Sequence, residues 1–204
     1  MPTVSDASRS DVADIGWTLA KAFADDPVWR FLVPLDRPWQ DPAARLYAAQ
    51  AACHLPPDRG RVLRADGFEG AAIWAAPGQW RESPSDLARQ ATPAARLFGS
   101  RMVLGLRTLT VTERAHPTEP HWYLAMLGTA PAHQGKGVGS ALIEPVLRVC
   151  DEEGIPAYLE SSKEKNLSFY RRHGFVEREP LRPPGGCPPI WPMWREPRPP
   201  EERA

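Results

Sequence analysis

Charge of one sign is the first thing this chain lacks. Lys+Arg and Asp+Glu both number 25, so no net field draws it toward DNA, RNA or an anionic membrane. Neither nucleic acid nor membrane is expected as a partner. Long apolar runs are missing too: no stretch approaches the ~18 apolar residues that a membrane span requires. The opening residues, MPTVSDASRSDVADIGW, carry neither the basic start nor the apolar core of a signal peptide. Cysteine is scarce, and Cys53, Cys150 and Cys187 are odd in number, far apart and in no metal-ligand spacing. Free thiols, no metal site and a cytoplasmic, reducing location are therefore expected. Proline, by contrast, is abundant: 24 prolines with many alanines and arginines are the composition of a high-GC bacterial gene.

At 204 residues one core is the default, and residues 1–204 are expected to form a single domain with a loose tail from Pro197. The segment SDVADIGWTLAKAFADDP has Val12, Ile15, Leu19, Ala22 and Phe23 at helical spacing, with Ser10 as N-cap and Pro27 beyond its end. Trp17 and Trp74 are expected in the core. A second helix covers DPAARLYAAQAACHL. Arg61–Ala65 and Ala71–Ala75 flank a glycine-containing turn and read as a hairpin. From Ser85 to Val111 the pattern is helical, with a break expected near Thr92-Pro93. Then HWYLAMLGTAP reads as a strand, the next residues as a helix to about Glu153, and IPAYLES as a strand. NLSFYRRHG reads as a short helix, and FVEREPL and PIWPMWRE as closing strands. Alternating strands and helices in the second half imply an α/β or α+β fold with a mixed sheet.

The corner HQGKGVGSAL stands between a strand and a helix. Unpaired backbone N–H groups and the positive end of the helix dipole make such a corner a seat for an anion, and glycine lets a phosphate approach the backbone. The P-loop pattern fails, because Lys136 precedes Gly137. The dinucleotide fingerprint fails as well: Gly135, Gly137 and Gly139 give G-x-G-x-G. What is present is Q-x-x-G-x-G, formed by Gln134, Gly137 and Gly139.

That pattern resembles motif A of the GNAT superfamily of acyl-CoA N-acyltransferases. The resemblance implies a mixed, mostly antiparallel central sheet, flanked by helices and splayed at the cofactor site. It further implies acetyl-CoA (coenzyme A) as cofactor, its pyrophosphate held by Gln134, Gly135, Lys136, Gly137, Val138, Gly139 and Ser140, and its pantetheine arm paired with the strand end at Leu127, Gly128 and Thr129. Gly128 inside a strand marks a bulge or a close backbone approach. About thirty residues on, NLSFYRRHGF resembles the family's motif B, with Asn166 placed to cap the helix and Gly174 to end it. AFADDP, GAAIWAAP and the tryptophan-bearing last strand extend the likeness to the puromycin N-acetyltransferase-type branch; it is dense from about Pro120 to Phe175. That branch has a tyrosine where this chain has Asp26, which leaves puromycin itself open as an acceptor.

In this chemistry a neutral amine attacks the thioester carbonyl, N–H donors meet the developing oxyanion, and the thiolate needs a proton. Tyr170 is the expected donor to sulfur, since a phenol with a pKa near ~10 stays protonated at neutral pH. Its other reading is a buried aromatic of an amphipathic helix. The oxyanion donor is a backbone N–H near Leu127 or Gly128. Glu160 is the first choice of general base, with a strand-end ion pair as its alternative, and Asp26 is the runner-up. His121 and His133 read as surface residues. The acceptor is expected to be a small-molecule amine met by Asp26, Trp29, Tyr47, Trp191 and Trp194, with monomer and homodimer both open. Two other readings remain: a coenzyme A-binding regulatory module without turnover, and acetylation of a protein or peptide amine.

Overall fold

The computed structural model describes residues 2–36 and 38–198. Seven strands form one sheet in the order β1-β2-β3-β4-β5-β7-β6. They are β1 (Val4–Asp6), β2 (Gly60–Ala65), β3 (Gly70–Ala75), β4 (Trp122–Thr129), β5 (Ala157–Ser161), β6 (Val176–Glu177) and β7 (Trp191–Arg195). Every neighbouring pair is antiparallel except β4 with β5. The α/β class with a mixed, mostly antiparallel sheet is thus the architecture observed.

Helices α1 (Val12–Ala22) and α3 (Gln40–His54) cover one face, and α6 (Val138–Glu153) with α7 (Leu167–Arg172) the other. The period of two in the hairpin sends its side chains both ways. Val62, Ala71 and Ile73 join Ile15, Leu19, Tyr47 and Ala51, whereas Leu63, Ala65, Ala72 and Trp74 join Leu142, Ile143, Val146 and Cys150. Strands β2 and β3 therefore contribute to the core on both sides of the sheet.

Several local expectations are corrected. The first helix begins with a 3-10 turn capped by Ser8, whose reciprocal bonds with Asp11 form a capping box, so Ser10 is not the cap. Trp17 is 42 % exposed: at about 100° per residue it lies on the side of α1 opposite Ile15. Pro27 opens a new helix, α2 (Pro27–Leu32), with Asp26 as its N-cap accepting from the Trp29 amide at 2.9 Å. Helix α4 (Pro84–Phe98) continues through Pro93, and the break falls at Gly99, where φ is +49°, before α5 (Met102–Ala115). Residues from 199 on lie outside the described ones. Arg198, in the expected loose tail, is tied down: its amide donates to Asp151 Oδ1 at 2.7 Å.

A buried ion pair fixes the second half of the sheet. Arg195 on β7 forks onto both oxygens of Asp151 on α6, at 2.7 and 2.9 Å, while its Nε donates to the His173 carbonyl at the end of α7. Both side chains are less than a tenth exposed, so the pair is shielded from water. Arg195→Ala should cost about 3–5 kcal/mol in a denaturant titration, since it strips the bidentate guanidinium from a buried carboxylate. Arg45→Ala, which breaks an exposed pair with Asp41, should leave the midpoint where it was.

Candidate active site

The pairing of β4 with β5 ends early. Trp122, Tyr123 and Leu124 face Ala157, Tyr158 and Leu159, and no later pair joins them. On its other edge β4 stays paired with β3 to Thr129, across an irregularity at Ala125, the extra residue between Met126 (opposite Ile73) and Leu124 (opposite Trp74). Beyond Leu124 the two parallel strands part. The gap is a cleft of about 530 Å³ running from the glycine corner to Glu160 and Tyr170.

The corner has the backbone its glycines suggest. Gly135 and Gly137 have φ of +76° and +82°, and Gly137 occupies the N-cap of α6 in the left-handed region, where a Cβ is costly. Gly139 serves packing instead: a Cβ there would meet the Phe169 ring at 3.3 Å. Gly128 is a close approach, since a Cβ would lie 2.8 Å from both Ala22 and Leu19 on α1. The bulge is three residues earlier, at Ala125.

Leu127, Gly128, Thr129, Gln134, Gly135, Gly137, Val138, Gly139, Ser140, Asn166, Tyr170, Glu160 and Asp26 all line the cleft. Lys136 is exposed and is not part of the lining. Ser140 Oγ lies 3.0 Å from His173 Nε2. Asn166 holds the N-cap position of α7, yet its side chain makes no capping bond, and a 3-10 turn precedes the helix. Residues that the sequence reading passed over also line it: Lys163, Lys165 and Arg172 give one rim positive charge, and Phe169 supplies an apolar wall. SSKEKN, between β5 and α7, was the available signal, because it places two lysines at the mouth of a strand-to-helix loop.

Tyr170 is 7 % exposed and packs edge-on against Phe169 and Phe175. Burial, helped by the Asp26 carboxylate, pushes its phenol well above the ordinary range. Asp26 is itself 2 % exposed and accepts from the Ser162 hydroxyl. Neighbouring Asp25 pairs with Lys163 and Lys165, so the α1–α2 corner is tied to the β5–α7 loop. Glu160 Oε2 accepts from the Tyr123 hydroxyl at 2.7 Å.

The aromatic candidates divide. Trp29 stacks on Tyr47 at 5.0 Å and meets Phe98 edge-on, one layer behind Phe23, which lines the cleft. Trp191 packs into the α6 side of the core. Trp194 points the other way, beside His121 and Tyr158 and under Arg178. None of these four lines the cleft. His133 fits its surface reading, on the rim at 3.0 Å from Glu69. His121 does not: it is 2 % exposed, because the turn before β4 folds it under Tyr158 and Trp194.

Comparison with known proteins agrees with this geometry. Residues 70–175 match the model of the acetyltransferase (GNAT) family. An uncharacterized N-acetyltransferase of the fission yeast Schizosaccharomyces pombe is 28 % identical over 173 residues, covering 80 % of this chain and 70 % of that protein. The solved structure of histone acetyltransferase HPA2 and related acetyltransferase from Corynebacterium glutamicum is 27 % identical, with a TM-score of 0.71 over 98 % of both chains. The polyamine N-acetyltransferase of Drosophila melanogaster shares the fold at 15 % identity, with a TM-score of 0.64 over 96 % of this chain and all of that one. The family match spans more than half of the chain and includes the glycine corner, the parted strands and Tyr170: this chain belongs to the GNAT family of acetyltransferases.

Proposed function

We propose that this protein transfers the acetyl group of acetyl-CoA to the amine of a small molecule, by direct attack with both substrates bound. The observation that carries this reading is the cleft itself, which has backbone donors at one end and a buried phenol and carboxylate at the other.

The cleft suits coenzyme A by its own chemistry. The corner from Gln134 to Ser140 would take the diphosphate on backbone N–H groups at the start of α6, with Lys163, Lys165 and Arg172 on the rim adding charge. The open edge of β4 from Ala125 to Thr129 would pair with the amide-bearing arm, as an added strand does. Acetyl-CoA, when bound, supplies an activated acyl carbon and a sulfur leaving group.

The chain's own groups then divide the proton work. The Tyr170 hydroxyl, kept protonated by its burial and by Asp26, holds a proton for the sulfur. In this reading an amide near Leu127 or Gly128 donates to the carbonyl oxygen. Glu160, at the end of β5 and in the cleft lining, takes the proton of an incoming ammonium.

We favour a small acceptor. Val28, Phe31 and Leu32 of α2, Leu104 of α5 and Leu181, Cys187 and Ile190 of the segment before β7 form one apolar cluster, which joins these segments just beyond Asp26, the N-cap of α2, and would limit the room for a peptide there. The polyamine enzyme with this fold supports the same class. The likeness to a histone acetyltransferase supports a second reading, transfer to a protein lysine.

Four outcomes test this. Coenzyme A release should be seen with at least one member of a panel of puromycin, amino-acid amides and polyamines; release only with a histone peptide would move the acceptor to protein. Tyr170→Phe should lower kcat by about 10²–10⁴-fold with coenzyme A binding unchanged by calorimetry, and unaltered turnover would remove the acid role and favour a binding module. Because Tyr170 titrates above its ordinary value of about 10, kcat should show no alkaline fall below pH about 10. Gly137→Val, forced into the left-handed region, should weaken coenzyme A binding at least ~10-fold.

A further inference from the structure

Behind Glu160, on the sheet face that α1 and α3 leave uncovered, lies a closed box of rings that the cofactor cleft does not include. His116, just past α5, is 8 % exposed and lies flat against Trp80 at 3.8 Å, with the edges of Tyr123 and Tyr158 at 4.8 and 4.9 Å. His121 sits between Tyr158 and Trp194. The two imidazoles meet through their Nε2 atoms at 3.0 Å, a hydrogen-bond distance that leaves no room for an ion between them.

Counting protons around this box gives an unbalanced result. The Glu119 carbonyl, 2.6 Å from His121 Nδ1, can only accept, so that nitrogen carries hydrogen. Burial, with His116 alongside, holds His121 below its ordinary pKa and keeps it neutral, so its Nε2 is a lone pair. The 3.0 Å contact then requires hydrogen on His116 Nε2. In the neutral form of His116 the remaining lone pair is on Nδ1, which faces Glu160 Oε1 at 3.6 Å. The oxygen is buried and receives no hydrogen bond, while its twin is held by Tyr123. Between a neutral His116 and the Glu160 carboxylate there is thus a place for one added proton, where side-chain exposure is 9 % or less. The other facing groups do not compete for it. Tyr123 and Tyr158 are pushed above their ordinary values by burial and by Glu160; Glu82, whose charge reaches Tyr123, accepts from Gln90; and Arg178 lies over Trp194.

We propose that the space between Glu160 Oε1 and His116 Nδ1 is the proton-accepting site for the acceptor amine, with His121 fixing the tautomer that keeps it open. This rests on the acetyl-transfer reading. The N–H bond of the ammonium breaks, its electron pair stays on nitrogen as the nucleophile, and the proton bonds to Glu160 and then to His116 Nδ1. The resulting imidazolium pairs with the carboxylate until the proton returns to solvent. Both histidines act through Glu160 and are positioning residues.

Two measurements on the full chain test it. Long-range proton–nitrogen spectra of protein with labelled histidine should show hydrogen on Nε2 of His116 and on Nδ1 of His121 near neutral pH; hydrogen on His116 Nδ1 instead overturns the proposal whatever the activity. With an acceptor that the wild type acetylates, His116→Gln should lose roughly 10²-fold in kcat at neutral pH. That loss should shrink at least ~10-fold once pH exceeds the amine's own pKa, about 8 for an α-amine or 10.4 for a lysine-like one, with KM for acetyl-CoA unchanged. A loss equal at every pH would mark His116 as structural only and sink the idea. A wild type that acetylates nothing would defeat the transfer reading, whereas the wrong tautomer defeats this site alone.

Discussion

The hydrogen-bond ladder between β4 and β5 runs for three residue pairs and then stops, and the rest of the site follows from that interruption. A buried strand edge without partners is costly, so the chain must either close it or give it to a ligand. Here closure is prevented from both sides. The close approach of α1 at Gly128 holds β4 in place, while the Arg195–Asp151 pair holds β5's neighbour β7 to α6 and to the end of α7. The strands diverge between these two anchors. Tyr170 and Glu160 stand at the far end of the opening and the glycine corner at the near end.

Around that opening, burial and charge act in one direction. Two carboxylates, Asp26 and Glu160, sit among phenols that have little access to water. Burial and Asp26 raise Tyr47 and Tyr170, and burial and Glu160 raise Tyr123 and Tyr158. Each phenol therefore stays a hydrogen donor, and each carboxylate stays the place where positive charge is welcome. An amine that arrives as a cation and must leave as a neutral amide meets a matching gradient.

Much of this was legible in the sequence because it is local. A left-handed glycine, a strand-to-helix corner and a helix ended by Gly174 depend on a few adjacent residues, and the hairpin of β2 and β3 announces itself by alternation. The parts that were misread depend on distance. Strand β1 has three residues and exists through its pairing with β2. Helix α2 is six residues long and hides behind Asp25-Asp26-Pro27, which reads equally as the end of α1. His121 looks like a surface residue beside Pro120, and His116 looks like the end of a polar helix. Only the fold brings Trp80, Trp194 and Glu160 around them, from segments up to 114 residues apart.

The three-pair seam between the halves of the sheet has a thermodynamic corollary. A ligand that paired with the open edge of β4 would act as a strut, joining segments that the polypeptide leaves apart. Binding free energy and folding free energy are then linked, in the ratio of ligand concentration to its dissociation constant. The melting temperature of such a molecule then rises with the concentration of whatever binds along that edge.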